Sequence, residues 1–165
     1  MALRRKGKLI VLEGADGSGK STQFRLLYER LKREHATYAT LKFPQYGTPS
    51  AAFVEAYLAG AFGKKPDDVN PYAASLFYAL DRWAAAPRIR GWLDAGKLVL
   101  LDRYTDSNAG HQGAKIRDAK KQKAFLRWLY GVEHGLLNIP KPDRVIILHA
   151  SGSFGSNDGA KKRDI

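Results

Sequence analysis

A chain of 165 residues with 44% hydrophobic content is long enough for one domain with a real core and too apolar to be disordered. It contains no cysteine, which excludes disulfides and thiolate metal sites, and no apolar run long enough for a signal peptide or a bilayer crossing, so the cytoplasm is the expected compartment. Lysine and arginine total 28 against 16 acids, a formal charge of +12, which suits a nucleic acid, a membrane surface or small polyanionic ligands. Much of that charge is local, in residues 4–8, 115–123 and 161–163, and each cluster reads first as solvated surface. There is no RNA-stacking motif, heptad or internal repeat.

Residues 9–12 (LIVL) read as a short buried strand. Gly14, Ala15, Asp16, Gly17, Ser18, Gly19, Lys20 and Ser21 then fit G-x-x-x-x-G-K-[ST] at every fixed position. Residues 23–35 follow with apolar positions at helical spacing, so the motif lies between a strand and a helix. Residues 37–43 predict a second strand, stopped by Pro44. Residues 49–60 predict a short amphipathic helix with Phe53, Val54, Tyr57 and Leu58 apolar. Asn70 and Pro71 mark a helix start, an N-cap followed by proline at the first helical position. That helix runs through Leu76, Tyr78, Leu80 and Trp83, and Pro87 is expected to kink or break it. Residues 98–101 predict a central strand, 118–134 a helix with Phe125, Leu126, Leu129 and Tyr130 inward, and 145–148 a fourth buried strand. Strands alternating with helices imply right-handed crossovers and a parallel sheet covered on both faces, with ligands at the carboxyl ends of the strands. The polar, glycine- and serine-rich residues 151–165 read as a mobile loop or tail.

The chemistry follows from the loop. Its glycines let backbone wrap a polyphosphate, and amides at a helix N-terminus supply positive potential. Lys20 would reach the β- and γ-phosphates, and the Ser21 hydroxyl would hold Mg²⁺. The third strand ends in Asp102, the position of a second magnesium-side ligand in a phosphate-loop protein. Arg103 comes next, where a guanidinium binds two phosphate oxygens and stabilises moving charge.

These pieces together resemble the thymidylate kinases, a family of phosphate-loop nucleoside monophosphate kinases. The matching segments are Leu12-Glu13-Gly14-Ala15-Asp16-Gly17 into Lys20-Ser21-Thr22, then Phe43-Pro44, Ala79-Leu80-Asp81-Arg82, Asp102-Arg103-Tyr104 with Ser107-Asn108, and Pro140-Lys141-Pro142-Asp143. They fall in the family's order and spacing from residue 8 to about residue 149. The resemblance implies a three-layer α/β P-loop fold in a single domain, here without the family's last strand and helices. It implies transfer of the γ-phosphate of ATP to dTMP, giving dTDP, with Mg²⁺, and leaves room for a homodimer. It also assigns roles. Asp16, Lys20 and Arg103 would be catalytic, Asp16 orienting the acceptor phosphate and Arg103. The loop from Gly14 to Thr22 would hold the ATP phosphates, with Ser21 and Asp102 on the metal. For dTMP, Phe43 and Tyr46 would lie near the nucleotide, Tyr78 would stack on thymine and Arg82 would read the base edge. Ser107, Asn108 and Gln112 would contact the nucleotide or nearby solvent, and His111 would pack on the deoxyribose. The family's lid would be at most a remnant in residues 151–165, with Arg163 its one arginine, so low turnover is expected of such a chain.

Two other functions are consistent with the same residues: a kinase for another nucleotide, such as dUMP or a guanylate, and a nucleotide-dependent switch or nucleic-acid-binding ATPase favoured by the charge. The GTPase signature Asn-Lys-x-Asp is missing, and nucleic acid is the less expected partner.

Overall fold

The computed structural model describes residues 7–149; the expected lid remnant or tail at 151–165 with its basic cluster and Arg163, and the first basic cluster apart from Lys8, lie outside them. β1 (Lys8–Gly14), α1 (Lys20–Arg33), β2 (Tyr38–Lys42), α2 (Ala52–Leu58), α3 (Pro71–Asp94), β3 (Leu98–Asp102), α4 (Thr105–Gly113), α5 (Ala119–Tyr130) and β4 (Arg144–Leu148) follow one another along the chain. The four strands form one parallel sheet in the order β2-β3-β1-β4.

Alternation along β1 builds two cores. Leu9 and Val11 face α3, where Ala85, Ile89 and Leu93 join Val99 and Leu101 of β3. Ile10 and Leu12 face the other way, onto Phe24, Leu27 and Leu31 of α1 with Leu100. This is the three-layer α/β arrangement expected, and both faces of the central strands are covered. Asp143 fixes the entry to β4. Its amide donates to Leu9 O at 2.8 Å, and its Oδ2 accepts from Leu9 N at 2.8 Å.

Three expectations need correction. α3 runs unbroken through Pro87. Pro87 and Trp83, whose carbonyl the proline leaves without its helical donor, are both exposed, so the lost hydrogen bond falls on the solvent side of the helix. Ala85 before the proline and Ile89 and Leu93 after it meanwhile hold both halves of the helix to the sheet. β4 is not a buried strand: Ile146 is 43% exposed and Ile147 70%. Among the described residues it is an edge strand, paired only with β1, and nothing covers those side chains. The 118–134 helix ends early, α5 passing after Tyr130 into a π-helical turn over Gly131–Leu136. Phe125 and Leu129 are buried as expected, whereas Tyr130 is exposed. α4, whose sequence TDSNAGHQG has no apolar period, was not legible as a helix.

Candidate active site

The phosphate loop leaves the carboxyl end of β1. Gly14 has no room for a side chain: a Cβ there would stand 2.6 Å from Ser18 Oγ and 2.9 Å from Leu148 O. Gly19 takes the N-cap of α1 at φ 78, a left-handed conformation, and no side chain caps that end. The first-turn amides are therefore open to an anion. Ser18 Oγ is buried without a partner. Lys20 is buried, its Nζ against Asp102 Oδ1, while Lys42 Nζ lies 3.9 Å from Asp102 Oδ2.

Arg103, directly after β3, is also left-handed at φ 65. Its amide donates to Leu12 O at 3.0 Å, which ties the end of β3 to β1. Its Nη2 donates to Asp16 Oδ1 at 2.6 Å, so the loop aspartate and the arginine meet as expected. A neighbouring carboxylate holds α4. Glu13, 4% exposed, accepts from Tyr104 N at 2.7 Å, from Ser107 N at 3.1 Å and from the Ser107 hydroxyl. It thereby satisfies N-terminal amides of α4 that α4 itself cannot.

Beside Asp16 and Arg103 opens a cleft of about 500 Å³. Phe43, Tyr46, Tyr78, Arg82, Ser107, Asn108, His111 and Gln112, from three separate stretches of sequence, all line it. Phe43 is 2% exposed and packs on Tyr104 at 5.7 Å between ring centroids, so it is as much core as wall. Tyr46 and His111 stand at the exposed rim. Tyr78 is half-buried with its ring edge-on to Tyr57, 6.2 Å away. Burial, and then the nearby Tyr57, push its phenol up to about 12. Arg82 is buried at 2% exposure and bonded by both Nε and Nη2 to Glu133. Among the described residues Asn108 Oδ1 and Gln112 Oε1 are buried acceptors without partners.

Sequence reasoning missed several residues here. Lys115, read as part of a solvated basic cluster, lines the cleft and donates to Tyr57 OH at 2.8 Å. Asp81, 1% exposed, holds the turn after β2, accepting from Gln45 N at 2.8 Å and Ser50 Oγ at 2.6 Å. Glu133 carries Arg82. One signal pointed to Glu133: it continues the buried 125–129 spacing by four residues, an acid on an apolar stripe.

The pattern of the thymidylate kinase family matches residues 12–163. The chain belongs to that family. It is 35% identical over 159 residues to thymidylate kinase of Mycobacterium tuberculosis, covering 94% of this chain and 73% of that one. To human thymidylate kinase it is 34% identical over 156 residues, covering 94% and 67%. Thymidylate kinase of Candida albicans is a structural neighbour at TM-score 0.71 and 30% identity, covering 88% of this chain and 64% of the Candida chain. Thymidylate kinases are transferases that carry a phosphoryl group from ATP to dTMP, giving dTDP. A thymidylate kinase therefore needs two anionic ligands brought together, and the loop and the cleft adjoin at Asp16 and Arg103. Among the described residues no helix is long and apolar enough to cross a membrane.

Proposed function

We propose that the cleft takes dTMP, with ATP phosphates on the loop, and that Arg103 governs the junction between them. The observation that carries this reading is that Arg103 lines the cleft and at the same time bonds to Asp16 of the phosphate loop. In this reading Tyr78 stacks on the base, with Arg82 and Asn108 at its edge. Tyr46, Phe43, His111, Ser107 and Gln112 enclose the sugar and the rest of the nucleotide.

Transfer breaks the bond from the γ-phosphorus to the bridging oxygen of ATP and forms one to a phosphate oxygen of dTMP, with no intermediate on the protein. Catalysis is positioning and charge stabilisation. Lys20, released from Asp102 by the incoming phosphates, follows the transferring charge, and Arg103 neutralises it from the acceptor side. The oxygen donors Ser21 and Asp102 fit Mg²⁺, which takes one or two protein oxygens and leaves its remaining positions to phosphate and water. They would hold it, and when bound it neutralises the phosphates. The proposed compartment is the cytoplasm, in keeping with a cysteine-free composition.

A second copy of the chain is the proposed partner. Leu76, Leu80 and Trp83 form an exposed stripe at helical spacing on α3, with exposures of 38, 43 and 52%. Light scattering coupled to gel filtration tests this: a dimer that Trp83→Glu splits supports it, and a monomer ends it. For the activity, ADP release is measured with dTMP, dUMP and dGMP as acceptors. A clear preference for dTMP is expected, and an equal or better rate with dGMP would remove the assignment.

A further inference from the structure

Glu133 belongs to none of the motifs discussed above, yet it is fully buried, at 0% exposure, behind the wall of the cleft. The π-helical turn after α5 carries it there. Its Oε2 accepts from Arg82 Nε at 2.7 Å and from Thr105 Oγ1 at 2.8 Å. Its Oε1 accepts from Arg82 Nη2 at 2.6 Å and from Asn108 Nδ2 at 3.3 Å. The fork uses two of the three guanidinium nitrogens. The third, Nη1, carries two N–H groups and reaches Tyr104 O only at a long 3.5 Å, so it keeps donor capacity for a ligand. Asn108 is constrained differently. Its Nδ2 faces two acceptors, Glu133 Oε1 and Ser75 O, the latter at 3.1 Å. Turning the amide over would press Oδ1 against both, so its polarity is set and Oδ1 stays a buried acceptor without a partner.

We propose that Glu133 is a positioning residue that fixes the donor–acceptor order of Arg82 and Asn108, and through it the choice between pyrimidines. The inference rests on the reading that these two residues meet the base edge. A donor at Arg82 Nη1 beside an acceptor at Asn108 Oδ1 complements a carbonyl at C4 and an N–H at N3, as in thymine. Cytosine presents the reverse, an amino group at C4 and a bare N3. Donor would then face donor and acceptor face acceptor, and unmatched buried polar groups give strong discrimination. Glu133 touches no reacting atom and acts through its two partners.

The test is calorimetric binding of dTMP, dCMP and ATP to the unmodified chain and to Glu133→Gln, Glu133→Asp and Arg82→Ala. Glu133→Gln offers an amide donor toward Asn108 and lets that amide turn over. The preference for dTMP over dCMP should fall by about tenfold or more, with ATP affinity within about twofold. Glu133→Asp keeps the charge at shorter reach, so dTMP should weaken while the preference largely survives. An unchanged preference in a folded Gln variant overturns the proposal. So does an equal loss of affinity for all three nucleotides, the mark of a merely structural role. If the Gln variant fails to fold, the Asp variant decides: weakened dTMP binding with ATP unchanged supports the proposal, and equal losses end it. Arg82→Ala separates the two levels. If it leaves the preference intact, the base-reading assignment fails. If it abolishes a preference that Glu133→Gln retains, only the role of Glu133 falls.

Discussion

Lys20 and Asp102 neutralise one another at the heart of the site, with exposures of 7 and 5%. Removing the lysine therefore has two consequences that a sequence motif does not separate. Lys20→Ala should lower turnover by on the order of 10²–10³, as loss of a charge on the transferring group does. It should also lower stability by a few kcal/mol, because Asp102 is left buried with only the exposed Lys42, 3.9 Å away, to face its charge. Adding Asp102→Asn should restore the stability and not the turnover. Denaturant melts and rate assays on the single and double variants check this, and recovery of both together would show that the lysine is structural. Tyr78 gives a pH-dependent test. Its proton is held more tightly in the folded chain, up to about 12 against an ordinary 10. The folded state thus binds more protons between those values, and stability is lost as pH rises from about 10 to about 12. Tyr78→Phe should flatten that part of the stability curve, and an unchanged slope in urea melts across this range would place the loss elsewhere.

Among the elements, α3 is the informative case. A helix-interior proline is about 3 kcal/mol less favourable than alanine. Pro87 sits on the solvent side of an otherwise continuous helix, so Pro87→Ala should raise stability by on the order of 1–3 kcal/mol. A fall in the guanidinium midpoint would mean that the ring itself packs usefully. The same helix shows what was legible. The Asn70 cap and the Pro71 start were readable, and Asn70 Oδ1 accepts from Tyr72 N at 2.8 Å. The continuation past Pro87 was not, because it depends on side chains of the sheet that local rules do not see. α4 was hidden for the opposite reason. It lacks an apolar stripe, and its N-terminus is satisfied by Glu13, ninety-one residues from Tyr104. The phosphate loop was legible because its chemistry is local and its spacing fixed. The acceptor cleft was legible only through family resemblance. Glu13, Asp81 and Glu133 act where distant segments converge, and only Glu133 carried a spacing signal, as an acid on an apolar stripe. Glu13→Gln removes the charge that holds three α4 donors and should destabilise the chain by about 1–3 kcal/mol, read from denaturant melts with Ser107→Ala alongside. An unaltered melt would show that α4 is held by packing alone.

On the scale of the whole molecule, the chain carries a net charge of +12, and the ligand proposed for its cleft is a small anion. Exposed charges are screened beyond a Debye length of about 10 Å at 0.1 M salt. Association of dTMP, followed by stopped flow, should slow several-fold from low to high salt while dissociation changes little. A flat association rate would show that the basic residues do not steer this ligand.

The strand order has a consequence in time. β1 and β2 are not neighbours; each pairs with β3, and only β3 joins them. About eighty residues separate the end of β1 from the start of β3, and at 5–20 residues per second a ribosome takes about 4–16 s to make them. Throughout that interval Leu9 and Val11, joined on the way by Leu41, have no sheet to enter, and the phosphate loop hangs from an unpaired strand. The nascent chain is therefore most prone to wrong association just before Leu98 emerges, and the arrival of five residues, LVLLD, joins β2 to β1 and brings Asp102 beside Lys20 in one event, with β4 following about forty residues later.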